Sequence, residues 1–214
     1  DRFYNQTRGG LDQDWHLQDS LRLLLPIWSG AEVLFSSFND QGHPNRRGIV
    51  VDQRALGFSQ PELNRSIALV FDIWNTSGDT LHNLYAGILA DFDVRATDRL
   101  HDVAFSLPEQ NAALMYNVSS PFPCVGIKLL YPRTPANLTC IDHSRYVYPD
   151  SGLTDGMKFR ALTGNLGAQS SDRPYNWSLA VATGPFNLPG LNGRQRVAFA
   201  FIAGEDSLNF LSSC

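Results

Sequence analysis

Short stretches of alternating apolar and polar residues run the length of this 214-residue chain. Alternation with β-branched or aromatic residues is the signature of a half-buried strand. It predicts strands over 31–38, 48–58, 66–75, 83–93, 103–107, 112–118, 125–131, 177–183 and 194–202. Two of these are nearly continuous apolar runs, Ile67-Ala68-Leu69-Val70-Phe71-Asp72-Ile73-Trp74 and Val197-Ala198-Phe199-Ala200-Phe201-Ile202. Such runs fit central strands covered on both faces. Turn clusters rich in Asn, Asp, Gly and Pro separate the strands, at 39–44, 76–79 and 189–193. Helix is scarce: 155–163 has room for two turns, and Asp206 is placed to cap a helix starting at Ser207. The expectation is an all-β protein, a β-sandwich of antiparallel strands with long loops and little helix. Residues 1–14 read as an N-terminal arm and 15–214 as one domain, with 142–175 a loop-rich excursion from it.

Composition narrows the setting. Charged residues make up 18% of the chain and the net charge is −4, with no basic stripe. That argues against nucleic acid as a partner. No run of eighteen apolar residues exists, so no helical membrane span is expected. The longest apolar stretch near the start, Leu21 to Trp28, is interrupted by Arg22 and Pro26. Low charge with abundant Asn, Ser, Gly and Pro suits an extracellular or cell-surface protein. The chain begins at Asp1 without Met, which a processed N-terminus and a trimmed chain explain equally well.

Six N-x-[ST] sequons point the same way: Asn5, Asn64, Asn75, Asn117, Asn137 and Asn176. Fourteen asparagines would give roughly two by chance. Each is a candidate glycosylation site, with Asn137 and Asn176 the best placed and Asn75 next. Cys124 and Cys140 flank two strand-like stretches joined by Tyr131-Pro132-Arg133-Thr134-Pro135. A hairpin there would bring the sulfurs together in a disulfide stabilising by about 3 kcal/mol. The alternative is two buried thiols. Cys214 is left over, as a free thiol, an interchain link or the point where a longer chain was cut.

Candidate chemistry is sparse. Asp91 and Asp93 alternate at a strand end, on one face and about 7 Å apart, and Asp98 and Asp102 follow. Crowded hard oxygens suit calcium, although the spacing is not that of an EF-hand. Calcium is thus a candidate ligand, and no cofactor is required. The same pair has the spacing of a glycosidase acid and base, but nothing indicates a cleft. His143 lies between Asp142 and Ser144, yet neighbours on a strand point to opposite faces, which does not build a triad. Tyr146 and Tyr148 alternate, and Trp177 stands at a strand start. These three are candidate platforms for a sugar ring or a partner surface.

Three stretches taken together are familiar. They are 69–81 running into 83–94, then Val125-Gly126-Ile127-Lys128-Leu129-Leu130, then Ala182-Thr183-Gly184-Pro185-Phe186 with 197–204. The chain resembles secreted bacterial β-sandwich regions found downstream of subtilisin-like protease domains and in large multidomain surface proteins. The resemblance spans about residues 15–213. It implies a secreted context and a short helix after the last strand, and it brings no catalytic residue. The resulting expectation is a non-catalytic, glycosylated extracellular β-sandwich with a structural or assembly role: a filament, sheath or spacer. Its partners would be other copies of itself or neighbouring domains. The alternative is a glycan-binding or accessory module of a secreted protease.

Overall fold

The computed structural model describes residues 14–24, 30–95, 97–149 and 152–204. Among them the chain is all-β, as the alternation predicts. Strands β1 (His16–Leu24), β2 (Ala31–Asn39), β3 (Ile49–Phe58) and β4 (Ser66–Asn75) form an antiparallel meander. Strand β5 (Leu81–Ala90) leaves it for a second sheet. Strands β6 (Asp102–Leu107), β7 (Ala112–Asn117) and β8 (Ser120–Tyr131) make a second meander. Next come β9 (Asn137–Asp142), two helices α1 (His143–Tyr146) and α2 (Asp155–Leu162), β10 (Trp177–Leu188) and β11 (Gly193–Gly204). The large sheet has the order β1-β2-β3-β4-β11-β8-β7-β6, the small one β5-β10-β9.

Strand β11 is the junction. It pairs with β4 from Gly193↔Asn75 to Ile202↔Ser66, and with β8 along its other edge. The two apolar runs that stand out in the sequence are therefore adjacent central strands. Their odd-numbered side chains, Phe71, Ile73, Val197 and Phe199, face the small sheet. There they meet Leu138 and Cys140 of β9, Leu179 and Val181 of β10, and Met115, Ile127 and Leu129 of the second meander. The small sheet packs on this face from β4, which contributes Phe71 and Ile73, across to β6. Strands β1, β2 and β3 extend past it as a wing.

The predicted excursion, 142–175, folds back as a cover. Ala161, Leu153 and Leu166 pack with Ile141 and Ala180 on the far side of the small sheet. Thr154 caps α2, its hydroxyl accepting from the Met157 N–H, and Gly164 ends it at φ +74. A methyl group at Gly87 would sit 2.7 Å from Leu162 of α2 and 2.6 Å from Ala182, so the close approach of α2 to β5 requires glycine. Residues 168–175 then bridge to Cys140 of β9 and to Phe105 and Asp102 of β6. This closes two strand edges that would otherwise present unpaired N–H and C=O groups.

Three expectations are corrected here. Cys124 and Cys140 form no disulfide. Residues 132–136 do not turn a hairpin. They carry the chain from β8 in the large sheet to β9 in the small one, so the two sulfurs belong to different layers. Both cysteines are buried, which is the alternative outcome. Strand β5 ends at Ala90, so Asp91 and Asp93 lie in the following loop and strand alternation does not apply to them. The extent of β1 was not anticipated, because register shifts between Leu17 and Asp19 and between Asp19 and Arg22 break its period of two. The capped helix from Ser207, Cys214 and most of the N-terminal arm lie outside the described residues.

Strand ends are closed by buried carboxamide and carboxylate side chains. Asn75 at the end of β4 is fully buried. Its Nδ2 donates to the carbonyls of Asp79, Leu188 and Pro189 at 2.7, 3.1 and 3.1 Å, and its Oδ1 accepts from the Ser77 N–H at 3.0 Å. The same two-residue turn recurs where Asn39 accepts from the Gln41 N–H, Asn117 from Ser119 and Asp142 from Ser144. Short polar side chains favour such turns because they satisfy a backbone N–H locally. Removing a buried partner leaves several backbone groups unsatisfied. Asn75→Ala is therefore expected to destabilise the protein by about 3 kcal/mol in urea unfolding, and a loss below about 1 kcal/mol would contradict this account of the strand end.

Candidate functional site

The small sheet brings together a polar cluster in which His143 and Ser178 are buried and Asp91 is exposed. Asp91 follows β5, His143 follows β9 and Ser178 lies near the start of β10. His143 Nε2 is 2.6 Å from Ser178 Oγ and 3.8 Å from Asp91 Oδ1. Ser178 also favours the charged form of the Asp91 carboxylate. Serine thus sits between the other two groups. Burial holds His143 below the ordinary histidine range, against the pull of Asp91, Asp93 and Asp142. Burial likewise raises Asp91, with Asp93 adding to it and His143 opposing.

This is not a nucleophilic triad. A triad places serine on one imidazole nitrogen and carboxylate on the other. Here one nitrogen faces both, and His143 and Ser178 are each more than nine-tenths buried. The cluster instead ties together the three strand ends. Tyr148 packs edge-on against His143, with ring centroids 5.6 Å apart, and its hydroxyl accepts from Asn176 Nδ2 at 2.8 Å.

The sequence-predicted residues divide into three groups. Asp98 and Asp102 do approach each other, through Asn117. Asn117 Nδ2 donates to the Asp98 carbonyl and to Asp102 Oδ1, both at 2.9 Å. Burial pushes Asp102 up to about 6, although bonds from Asn117 and Val94 pull it down. Asp98 is held low, chiefly by a bond from Ser119 and by His101. Asp93 stays exposed. Among the described residues, no three His, Cys, Asp or Glu side chains converge as metal ligands.

The platform group is dispersed. Trp177 is 2% exposed, and its Nε1 donates to the Arg173 carbonyl, so its face is closed to ligands. Tyr146 and Tyr148 lie on α1 and the turn after it rather than on a strand. Tyr146 packs against the cover cluster, while Tyr148 is 46% exposed.

The sequons have a second explanation. At Asn75 and Asn117 the serine two residues on supplies the N–H that the asparagine accepts. Asn-x-Ser is thus the pattern of a strand-ending turn as well as of a glycosylation signal. The amides of Asn75, Asn117 and Asn176 are buried and their Nδ2 groups are engaged, which leaves no room for a glycan in the folded chain. Asn137 is half-buried and bonds the Leu162 carbonyl. Asn64 is exposed, and Asn5 lies outside the described residues.

Two features of the wing were not anticipated. On the face turned away from the small sheet, Asp72 of β4 is buried beneath three arginines. Its carboxylate accepts from Arg54 at 2.9 Å, from Arg196 at 2.7 and 2.9 Å, and from Arg194 at 3.2 Å. Burial disfavours the charge, but the bonds and charges of Arg196 and Arg194 outweigh it and lower Asp72 to about 2. On the other face, β1 pairs Leu17 with Phe38 and Leu23 with Leu34. Leu17, Leu21 and Leu23 are 66%, 66% and 63% exposed.

These elements define an all-β protein of two packed antiparallel sheets. No family model matches the chain, and no curated protein does. Among solved structures, the Slr1438 protein from Synechocystis sp. PCC 6803 is similar at 9% identity, with a TM-score of 0.44 over 92% of this chain and 75% of that one. No helix among the described residues is long and apolar enough to cross a membrane.

Two measurements check the site. The Asp102 carboxyl should titrate with a midpoint near 6 by carbon NMR, and an ordinary value near 4 would contradict its burial. Asp72 contributes the opposite dependence. Its folded value lies below its unfolded one, so its stabilisation is present above pH ~4 and is lost as pH falls toward about 2. Asp72→Asn should remove that acid dependence and cost about 3 kcal/mol, read as a lower urea midpoint at pH 7.

Proposed function

We propose that this protein is a non-catalytic structural β-sandwich that self-associates through the leucine face of its wing. One observation carries the reading: three leucines of a nine-residue edge strand stand about two-thirds exposed. Leu34 of β2, 39% exposed, continues the face, and so does Ile67 of β4 at 52%. Contiguous apolar surface of this kind marks an interaction site. The β6 and β9 edges are bridged by residues 168–175, whereas no strand of the described chain pairs with the outer edge of β1.

The magnitudes favour a contact that depends on concentration. Completing the burial of each leucine is worth roughly 1–2 kcal/mol. Two copies meeting face to face would gain on the order of ten. That is comparable with the translational and rotational cost of association. The register shifts in β1 disfavour regular strand addition, so side-chain burial rather than backbone pairing is the driving term. We infer an extracellular or surface setting from the low charge, with Asn64 the one described sequon whose side chain is exposed. In that setting the wing would join copies of the chain, or neighbouring modules of a longer secreted protein, into a sheath, filament or spacer.

Light scattering over a concentration series should show a rise in mass for the native sequence. The variant Leu17→Lys/Leu21→Lys/Leu23→Lys should stay monomeric with an unchanged circular dichroism spectrum. A wild-type protein that is monomeric at the highest concentration reached would overturn the proposal. The compartment is tested separately, by peptide mass spectrometry of protein secreted from a glycosylating host. Glycan is expected on Asn64, with Asn75, Asn117 and Asn176 unmodified, and an unmodified Asn64 would contradict the reading.

A further inference from the structure

The opposite face of the wing carries more positive charge than its own structure uses. Arg54 on β3 and Arg194 and Arg196 on β11 surround Asp72. A carboxylate offers about four lone-pair positions, and the four bonds from these arginines fill them. Each guanidinium has five N–H donors, so most of the donors in the trio have no acceptor among these contacts. The three side chains are 34%, 40% and 48% exposed, and the carboxylate beneath them is 2% exposed. Asp72 is therefore the floor of the cluster, and the guanidiniums form its rim toward solvent.

The rim is held in place. Arg194 stacks on Trp74 at 4.8 Å and Arg54 on Phe35 at 5.3 Å from the ring centroids. Arg22 covers Phe35 as well, at 5.0 Å, and is neutralised by Asp19. All of these side chains stand on paired strands, so little ordering entropy remains to be lost on binding. Asp52 is directly across from Asp72 and accepts from the Trp74 indole. Three arginines against two aspartates leave a surplus of one positive charge on a rigid surface rich in donors.

We propose that this rim binds a singly charged oxyanion, a carboxylate or a sulfate ester, carried on an acidic polysaccharide. The planar donor fork of arginine matches such groups bidentately. The surplus of one charge selects a monoanion over a phosphate monoester. All three guanidiniums bond the one Asp72 carboxylate, so the rim is compact enough to meet a single charged saccharide unit. This site is independent of the leucine face, which lies on the other side of the wing.

The test uses a uronate oligosaccharide, its neutral methyl ester and inorganic sulfate, titrated into the whole chain by calorimetry at constant ionic strength. The uronate should bind saturably and the methyl ester should not. Arg194→Gln and Arg54→Gln should each weaken binding by about tenfold or more, with folding verified by circular dichroism. Arg95→Gln, in the loop after β5, should leave it unchanged. Saturable binding of sulfate with equal affinity, and no gain from the saccharide, would show a free-anion site and overturn the polysaccharide assignment. Equal binding of the methyl ester, an equal loss in Arg95→Gln, or no saturable binding of any probe would overturn the proposal.

Discussion

The insertion of β11 between β4 and β8 is the constraint on which the rest of the molecule depends. Ten consecutive residue pairs join β11 to β4, from Gly193↔Asn75 to Ile202↔Ser66. Without them the first meander and the second would be separate sheets. With them, one sheet of eight strands results, too wide for the three-stranded sheet packed on it. The overhang follows directly. Strands β1 to β3 are paired in series onto β4, which β11 anchors, and they extend past the small sheet. The wing is thus held in place by backbone pairing while Leu17, Leu21 and Leu23 stay exposed on it.

Each face of the wing then has its own chemistry. Where β3, β4 and β11 run side by side, Arg54, Asp72, Arg194 and Arg196 meet across three strands and tie them together. Removing the Asp72 charge would leave three part-exposed guanidiniums crowded together without the carboxylate that joins them. On the other face, apolar side chains continue the core beyond its cover, from Phe71 and Leu69 on β4 out to Leu34 and Leu23. One face offers oriented donors and the other unburied hydrocarbon.

Much of the architecture was legible in the sequence because apolar periodicity reports burial directly. The runs at 67–74 and 197–202 read as central strands, and they are adjacent ones. Strand β1 escaped detection because Asp19, Arg22 and two register shifts disrupt its alternation. The site residues fared differently, for a physical reason in each case. Asn-x-Ser reads as a glycan acceptor, yet at Asn75 and Asn117 the same spacing forms a buried turn. Cys124 and Cys140 are close in sequence, but a crossing between sheets separates them, and turn residues alone do not distinguish a hairpin from a crossing. Asp91 was identified, but its partners His143 and Ser178 were not, since they come from other strands and share no local pattern. The arginines around Asp72 lie on strands far apart in sequence, so only the register reveals them.

The central claim is that the leucine face of the wing is buried in a contact between copies. Its most direct test is the solvent accessibility of the Leu17, Leu21, Leu23 and Leu34 methyl groups, read by NMR with a soluble paramagnetic probe over a dilution series. The account predicts that these methyls are shielded at high concentration and become accessible on dilution, while those of Leu179 and Ile127 in the core stay shielded throughout. Wing methyls that remain fully accessible at every concentration would contradict it.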